Sequence, residues 1–204
     1  SRQIRTVIDV GANQGQFARK FANVFPQATF HCFEPLPEPC AQLRAWAKTR
    51  ERVHVYQKAL GDAPGNAKFL HHIDHSPSSS LLSATQEGKD LFPQTTRQRE
   101  LEVEVSTLDE FFLTLSQGVV PEVLLKLDVQ GYEDRVLRGG QAFLKRVDVV
   151  IAELCVAPLY EHQAKFIDIC QELNSAGLSY VGNLDQVFGS DGAVLFLDAV
   201  FVRS

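Results

Sequence analysis

The chain has 204 residues, 45% of them hydrophobic, and a formal net charge of −5. That length supports one substantial core and fits one α/β domain, and the acidic balance gives no mark of a general nucleic-acid binder. No apolar run reaches the roughly 20 residues that cross a bilayer, and no basic and apolar opening marks a secretory leader. The four cysteines, Cys32, Cys40, Cys155 and Cys170, sit in apolar or helical stretches without close pairing. They predict free thiols in a reducing, cytoplasmic setting rather than a disulfide framework. The chain has no methionine and a strand-like run begins by Ile4, which leaves room for a further segment upstream.

Thr6-Val7-Ile8-Asp9-Val10 is a short β-branched run that ends in Gly11-Ala12-Asn13-Gln14-Gly15. Continuous apolarity predicts a strand buried on both faces of a parallel sheet. Phe17, Ala18, Phe21, Ala22 and Phe25 then recur on one face of a helix, which Pro26 ends. Strands are expected at residues 29–33 and 53–57, with a helix from about 39 to 48 between them. The opening therefore spells β-α-β-α-β, with right-handed crossovers. The middle breaks this rhythm. Residues 67–71 read as a short strand, 74–99 as a loop rich in Ser, Thr, Gln and Pro, and 100–105 as a half-exposed strand. We read about 63–107 as an insertion, a hairpin or edge strands with a mobile loop. The rhythm resumes with a buried strand at 123–127, a helix from Glu133 to Lys145 broken by Gly139-Gly140, and a strand at 147–154. A long helix follows, with Phe166, Ile169, Cys170, Leu173 and Ala176 on one face and Gly177 as its stop. Strands near 178–182 and 197–202 close the chain. The expected architecture is a Rossmann-like, doubly wound, mostly parallel sheet in a single domain over 1–204.

In open α/β sheets ligands lie at the carboxyl ends of the strands, where strand order reverses. The Gly11–Gly15 loop sits there, ahead of a helix N-terminus that suits an anionic group. A dinucleotide fingerprint needs glycine where Asn13 stands, and a Walker A loop needs a Gly-Lys-Ser/Thr that does not follow. Glu34 ends the second strand roughly twenty residues on, where an acidic group accepts hydrogen bonds from a ribose diol. A single nucleoside with a small charged tail fits this pair, and S-adenosylmethionine is such a ligand.

The stretch Val7-Ile8-Asp9-Val10-Gly11-Ala12-Asn13-Gln14-Gly15-Gln16-Phe17 resembles the opening motif of the FkbM family of S-adenosylmethionine-dependent methyltransferases. Further stretches agree in order: Phe33-Glu34-Pro35; Ala59-Leu60-Gly61-Asp62; Ser80-Leu81-Leu82 before Val105-Ser106-Thr107-Leu108-Asp109; and Lys126-Leu127-Asp128-Val129-Gln130-Gly131-Tyr132-Glu133, running on to Leu137-Arg138-Gly139-Gly140. The resemblance spans nearly the whole chain. It implies a seven-stranded sheet of the class I methyltransferase type, with the last strand antiparallel. It also implies methyl transfer to oxygen on sugars, lipids or polyketide-like metabolites. One departure is Tyr132, where many family members carry histidine; a phenol with a pKa near 10 is a poor base at neutral pH.

Methyl transfer to a hydroxyl needs the nucleophile placed in line and its proton removed. Asp128, at the end of the fourth core strand, is the first catalytic candidate. Glu133 at the following helix start and Glu153 near the end of the next strand join it around one crevice. For the cofactor we expect Asp9, Gly11, Asn13, Gly15 and Phe17 from the first loop, with Glu34 and Pro35 after the second strand. Ala59 and Leu60 would pack against adenine, while Ser80 reaches in from the insertion beside Ser79, and Asp128 completes the set. His71, His72, His75 and Asp74 resemble a metal cluster, but their spacing needs a helix where the pattern reads strand then loop, so no metal is expected. Three rivals stand beside an oxygen-directed enzyme: a nitrogen-directed one, a binding module without turnover, and a nicotinamide-dependent oxidoreductase. Asp128-Val129-Gln130-Gly131 is not the Asn/Asp-Pro-Pro-aromatic motif common in the first, and the loop spacing disfavours the last. Acceptor choice should lie in residues 74–99.

Overall fold

The computed structural model describes residues 3–115 and 119–203. The chain runs β1 (Thr6–Val10), α1 (Gln16–Phe21), β2 (Thr29–Phe33), α2 (Pro37–Ala47), β3 (Val53–Tyr56) and β4 (Ala59–Leu60). β5 (Gly65–His72), α3 (Gln86–Leu91), β6 (Gln98–Ser106) and α4 (Leu108–Thr114) follow. The remainder is β7 (Val123–Leu127), α5 (Glu133–Arg138), α6 (Gln141–Leu144), β8 (Val149–Cys155), α7 (Phe166–Ser175), β9 (Leu178–Phe188) and β10 (Val194–Arg203). Seven strands form one sheet in the order β3-β2-β1-β7-β8-β10-β9, in which only β10 runs antiparallel to its neighbours. The expected α/β rhythm and antiparallel last strand are both present.

Helices cover both faces of this sheet, which is why its central strands are apolar throughout rather than alternating. Ile8, Val10, Leu125 and Leu127 point into one core with Leu137, Phe143 and Leu173. Their neighbours Val7 and Leu124 point into the other, with Phe30, Cys32 and Leu43. Two charges interrupt the pattern. Asp9 and Lys126 are register partners on adjacent strands, and both are buried.

Register decides where the loops emerge. Val10 lies level with Phe33 on one side and Leu127 on the other, and Leu127 lies level with Ala152. The next residues, Gly11, Glu34 and Asp128, therefore leave the sheet along one edge, level with Glu153, which stays in β8 paired with Asp198. Strand order turns between β1 and β7, the place where a parallel sheet opens a crevice.

The insertion is more ordered than the sequence suggested. β5 and β6 pair antiparallel over eight residues, and with β4 they form a second, three-stranded sheet. The expected loop holds two short 3-10 turns and α3, whose Thr85 caps it by accepting from the Gly88 N–H at 2.9 Å. The sequence pattern also missed α4, and it cut short β9 and β10, which run eleven and ten residues. α1 in turn is shorter than the Phe17-to-Phe25 face suggested.

Candidate active site

Gly11 opens the first loop with φ +76, and an added Cβ there would lie 1.8 Å from the Asp128 carbonyl oxygen. The β1 and β7 ends thus pass too close for any side chain at this position. Gly15 is also left-handed, and its Cβ would meet Leu43 of α2. Both glycines permit close packing of the loop, and Gly11 also lines the crevice beside it.

Between them the Asn13 N–H donates to Glu34 Oε2 at 2.8 Å, and the Leu36 N–H donates to Glu34 Oε1 at 2.7 Å. The Glu34 carboxyl is buried, and burial pushes its pKa up to about 7 against the pull of those two backbone donors. Around it lies a crevice lined by Gly11, Asn13, Pro35, Ala59, Leu60, Phe69, Ser79, Leu81, Asp128 and Tyr132. Its far wall is the insertion, latched where the Asn13 amide donates to Ser76 Oγ at 3.1 Å. Tyr132 belongs to this crevice and carries Arg135 over its ring at 4.9 Å. Tyr132, the departure from histidine, therefore lies in the wall of this crevice and not of the adjoining one.

Asp128 borders that second crevice as well. There it meets Gln130, Glu153, Tyr160 and Ser78, with an apolar side made by Ala84, Phe92, Leu159 and Phe196. The Gln130 Nε2 donates to Asp128 Oδ1 at 2.7 Å and to Glu153 Oε1. Tyr160 Oη lies 2.6 Å from Gln130 Oε1 and 3.0 Å from the Ser78 carbonyl. Burial first, then the Asp128 charge, raise the Glu153 carboxyl well above the usual carboxylate range, against the opposing pull of Lys126 and Gln130.

Lys126 was overlooked by the sequence reading. Its Nζ donates to Asp128 Oδ2 at 2.8 Å and lies 3.7 Å from Asp9 Oδ1. Burial alone would lower its pKa, but the Asp128 and Asp9 carboxylates outweigh burial and hold the ammonium charged. The signal was present: a lone lysine in the otherwise apolar Val-Leu-Leu-Lys-Leu strand has to be paired. Gln130, also overlooked, has φ 57. A non-glycine residue in left-handed backbone is a common mark of a functional site.

Several expected positions turn elsewhere. Asp9 is fully buried beneath the loop beside Lys126 and lines neither crevice, because its strand position faces α1. Phe17 stacks on Phe21 at 4.2 Å and lines a third groove, shared with Lys20, Asp128, Glu153 and Asp198. Glu133 is buried and accepts from the Val129 and Gly131 N–H groups, both at 3.2 Å, so it braces its own turn. Ser80 donates to the Gln130 carbonyl at 2.8 Å and accepts from the Leu82 N–H, which ties the insertion to the β7–α5 turn; Ser76 and Ser79 line the crevice beside Glu34 instead. Among the described residues no group of three or more His, Cys, Asp or Glu is placed to hold a metal ion.

The sequence matches the methyltransferase FkbM domain over residues 9–180. It is 28% identical to the 2-O-methyltransferase NoeI of Sinorhizobium fredii, over 77% of this chain and 66% of that protein. It is 30% identical to the 31-O-demethyl-FK506 methyltransferase FkbM of Streptomyces tacrolimicus, over 89% of this chain and 75% of that one. The fold resembles the N-methyltransferase NodS from Bradyrhizobium japonicum, solved with S-adenosylhomocysteine, at a TM-score of 0.52 and 12% identity, covering 98% of this chain and 78% of that one. The domain match takes in the first loop, Glu34, Asp128 and Glu153 alike, and the chain belongs to the FkbM family of S-adenosylmethionine-dependent methyltransferases.

Proposed function

We propose that this chain transfers a methyl group from S-adenosylmethionine to a hydroxyl oxygen of a small-molecule, glycan or lipid acceptor. The observation that carries the reading is the meeting of two crevices at Asp128, one built for a nucleoside and one holding a second buried carboxyl, Glu153.

The residues fit the cofactor. Each Glu34 oxygen takes one backbone N–H, and a carboxylate has lone pairs left for both ribose hydroxyls. Ala59, Leu60, Phe69 and Leu81 offer an apolar slot for a purine. Asp128 sets a carboxylate where a cationic sulfonium and ammonium would lie. Bound S-adenosylmethionine supplies an electrophilic methyl group. The protein's part is placement and proton removal, the first worth several kcal/mol in well-oriented reactions. Glu153 is the proton acceptor in this reading, because it is the second carboxyl facing the crevice that Asp128 borders. Asp128, ion-paired with Lys126 at 2.8 Å, steers the cofactor. The same reading treats the chain as one methyltransferase domain carrying an insertion. Its four free cysteines suit a reducing cytoplasm.

The test is transfer of isotope-labelled methyl from S-adenosylmethionine to a panel of sugars, glycolipids and hydroxylated metabolites, with matched amines beside them. Label recovered as an ether, and lost in Glu153→Gln, supports the reading. Label recovered only on nitrogen sinks it.

A further inference from the structure

We propose that Gln130 and Tyr160 act as a positioning pair. Tyr160 fixes the Gln130 amide so that its nitrogen faces both Asp128 and Glu153, which leaves one Glu153 oxygen to meet the acceptor hydroxyl. The proposal rests on the reading of Glu153 as proton acceptor.

Two carboxylates facing one buried crevice repel, and such a pair tends to take up a shared proton or swing apart. A single amide NH2 counters this with one hydrogen for each. Gln130 Nε2 donates to Asp128 Oδ1 at 2.7 Å and to Glu153 Oε1. An amide turned over would set its carbonyl oxygen against both anions. Tyr160 favours the observed orientation, because the shorter of its two contacts, 2.6 Å to Gln130 Oε1 against 3.0 Å to the Ser78 carbonyl, takes its one hydroxyl hydrogen. Tyr160 is itself held: its backbone bridges Ala84 of the insertion, and its ring is buried with Leu82, Cys155 and Leu159.

The backbone points the same way. Gln130 takes a left-handed conformation, and its carbonyl accepts from Ser80 Oγ at 2.8 Å. An ordinary turn would place glycine there at no steric cost. Keeping a side chain at a strained position makes sense when the side chain is needed. The groups around Glu153 are Lys126 from β7 and Asp128 just after it, Asp198 from β10, and Cys155 and Tyr160 from its own strand and the segment after it. Gln130 is the neutral donor set among these acids, and removing it should strengthen proton binding at Glu153.

The experiment is a pH titration of side-chain carboxyls by carbon-13 NMR, with the Glu153 signal identified by its loss in Glu153→Gln. We expect Gln130→Met to move the Glu153 midpoint up by about one pH unit. Tyr160→Phe should move it the same way by less, and the double variant no further than Gln130→Met alone. A purely structural role would lower thermal stability in each variant but leave the midpoint in place. An unmoved midpoint in a folded Gln130→Met chain overturns the proposal; should that chain fail to fold, an unmoved midpoint in Tyr160→Phe does so. Binding of S-adenosylhomocysteine by the wild-type chain is scored separately. Its absence would sink the proposed function, whereas intact binding with an unmoved midpoint would sink only the pair.

Discussion

Cofactor binding should depend on pH through Glu34. The buried carboxyl has a pKa of about 7, well above the ordinary carboxylate value. A ribose diol donates hydrogen bonds, so it favours the ionised form. At pH 6 about a tenth of the Glu34 carboxyl is ionised, and at pH 8 about nine tenths. Apparent affinity scales with the competent fraction, so S-adenosylhomocysteine should bind roughly tenfold more tightly at pH 8, a gain of about 1.4 kcal/mol. Near pH 7 binding should release about half a proton. Calorimetry in buffers of different ionisation heat measures both quantities. Glu34→Gln should bind more weakly and lose most of the dependence, because its amide cannot accept from both backbone donors at once. Equal affinity at pH 6 and pH 8 in the wild-type chain would refute the role given to this carboxyl.

Three further outcomes follow from the same geometry. Gly11→Ala combines a left-handed backbone with a Cβ 1.8 Å from the Asp128 carbonyl oxygen; urea unfolding should show a loss above about 3 kcal/mol, and a loss under about 1 would contradict the packing described. Lys126→Met leaves the buried Asp9 and its neighbour Asp128 without their ammonium, which should cost about 3–5 kcal/mol in thermal unfolding, with part recovered by adding Asp9→Asn. Glu133 is buried with its pKa raised to about 7 by burial. The raised value makes its contribution to stability complete below the unfolded value near 4.5, and lost as pH climbs through 7. Glu133→Gln should therefore match wild type at pH 4 and exceed it by up to about 3 kcal/mol at pH 8; equal stability at both would contradict the burial argument.

The sheet was legible because its central strands follow a strong rule. Thr6–Val10, Thr29–Phe33 and Val123–Leu127 are buried on both faces, and their apolar runs gave the right limits. The second half of β9 was not, because β9 is an edge strand paired with β10, and its exposed Asn183-Leu184-Asp185 segment carries little strand preference. α3 has six residues, too few for a period to register, and depends on tertiary contacts such as Gly88 against the Leu159 carbonyl. At the site, spacing showed which residues leave the sheet at the crevice edge. It did not show which way each side chain turns. Glu34 and Glu153 face the crevices, but Glu133 bends back to its own turn, and Asp9 is committed to Lys126. Those outcomes depend on loop conformations, including the left-handed Gln130 and Gly131, that no local propensity specifies.

The most direct test of the account is a crystal structure of the chain with S-adenosylhomocysteine. The account predicts the ribose diol on Glu34, the purine between Leu60 and the insertion, and the sulfur beside Asp128, facing the crevice that holds Gln130 and Glu153. A ligand seated elsewhere, or a sulfur turned away from Asp128 and Glu153, would contradict it.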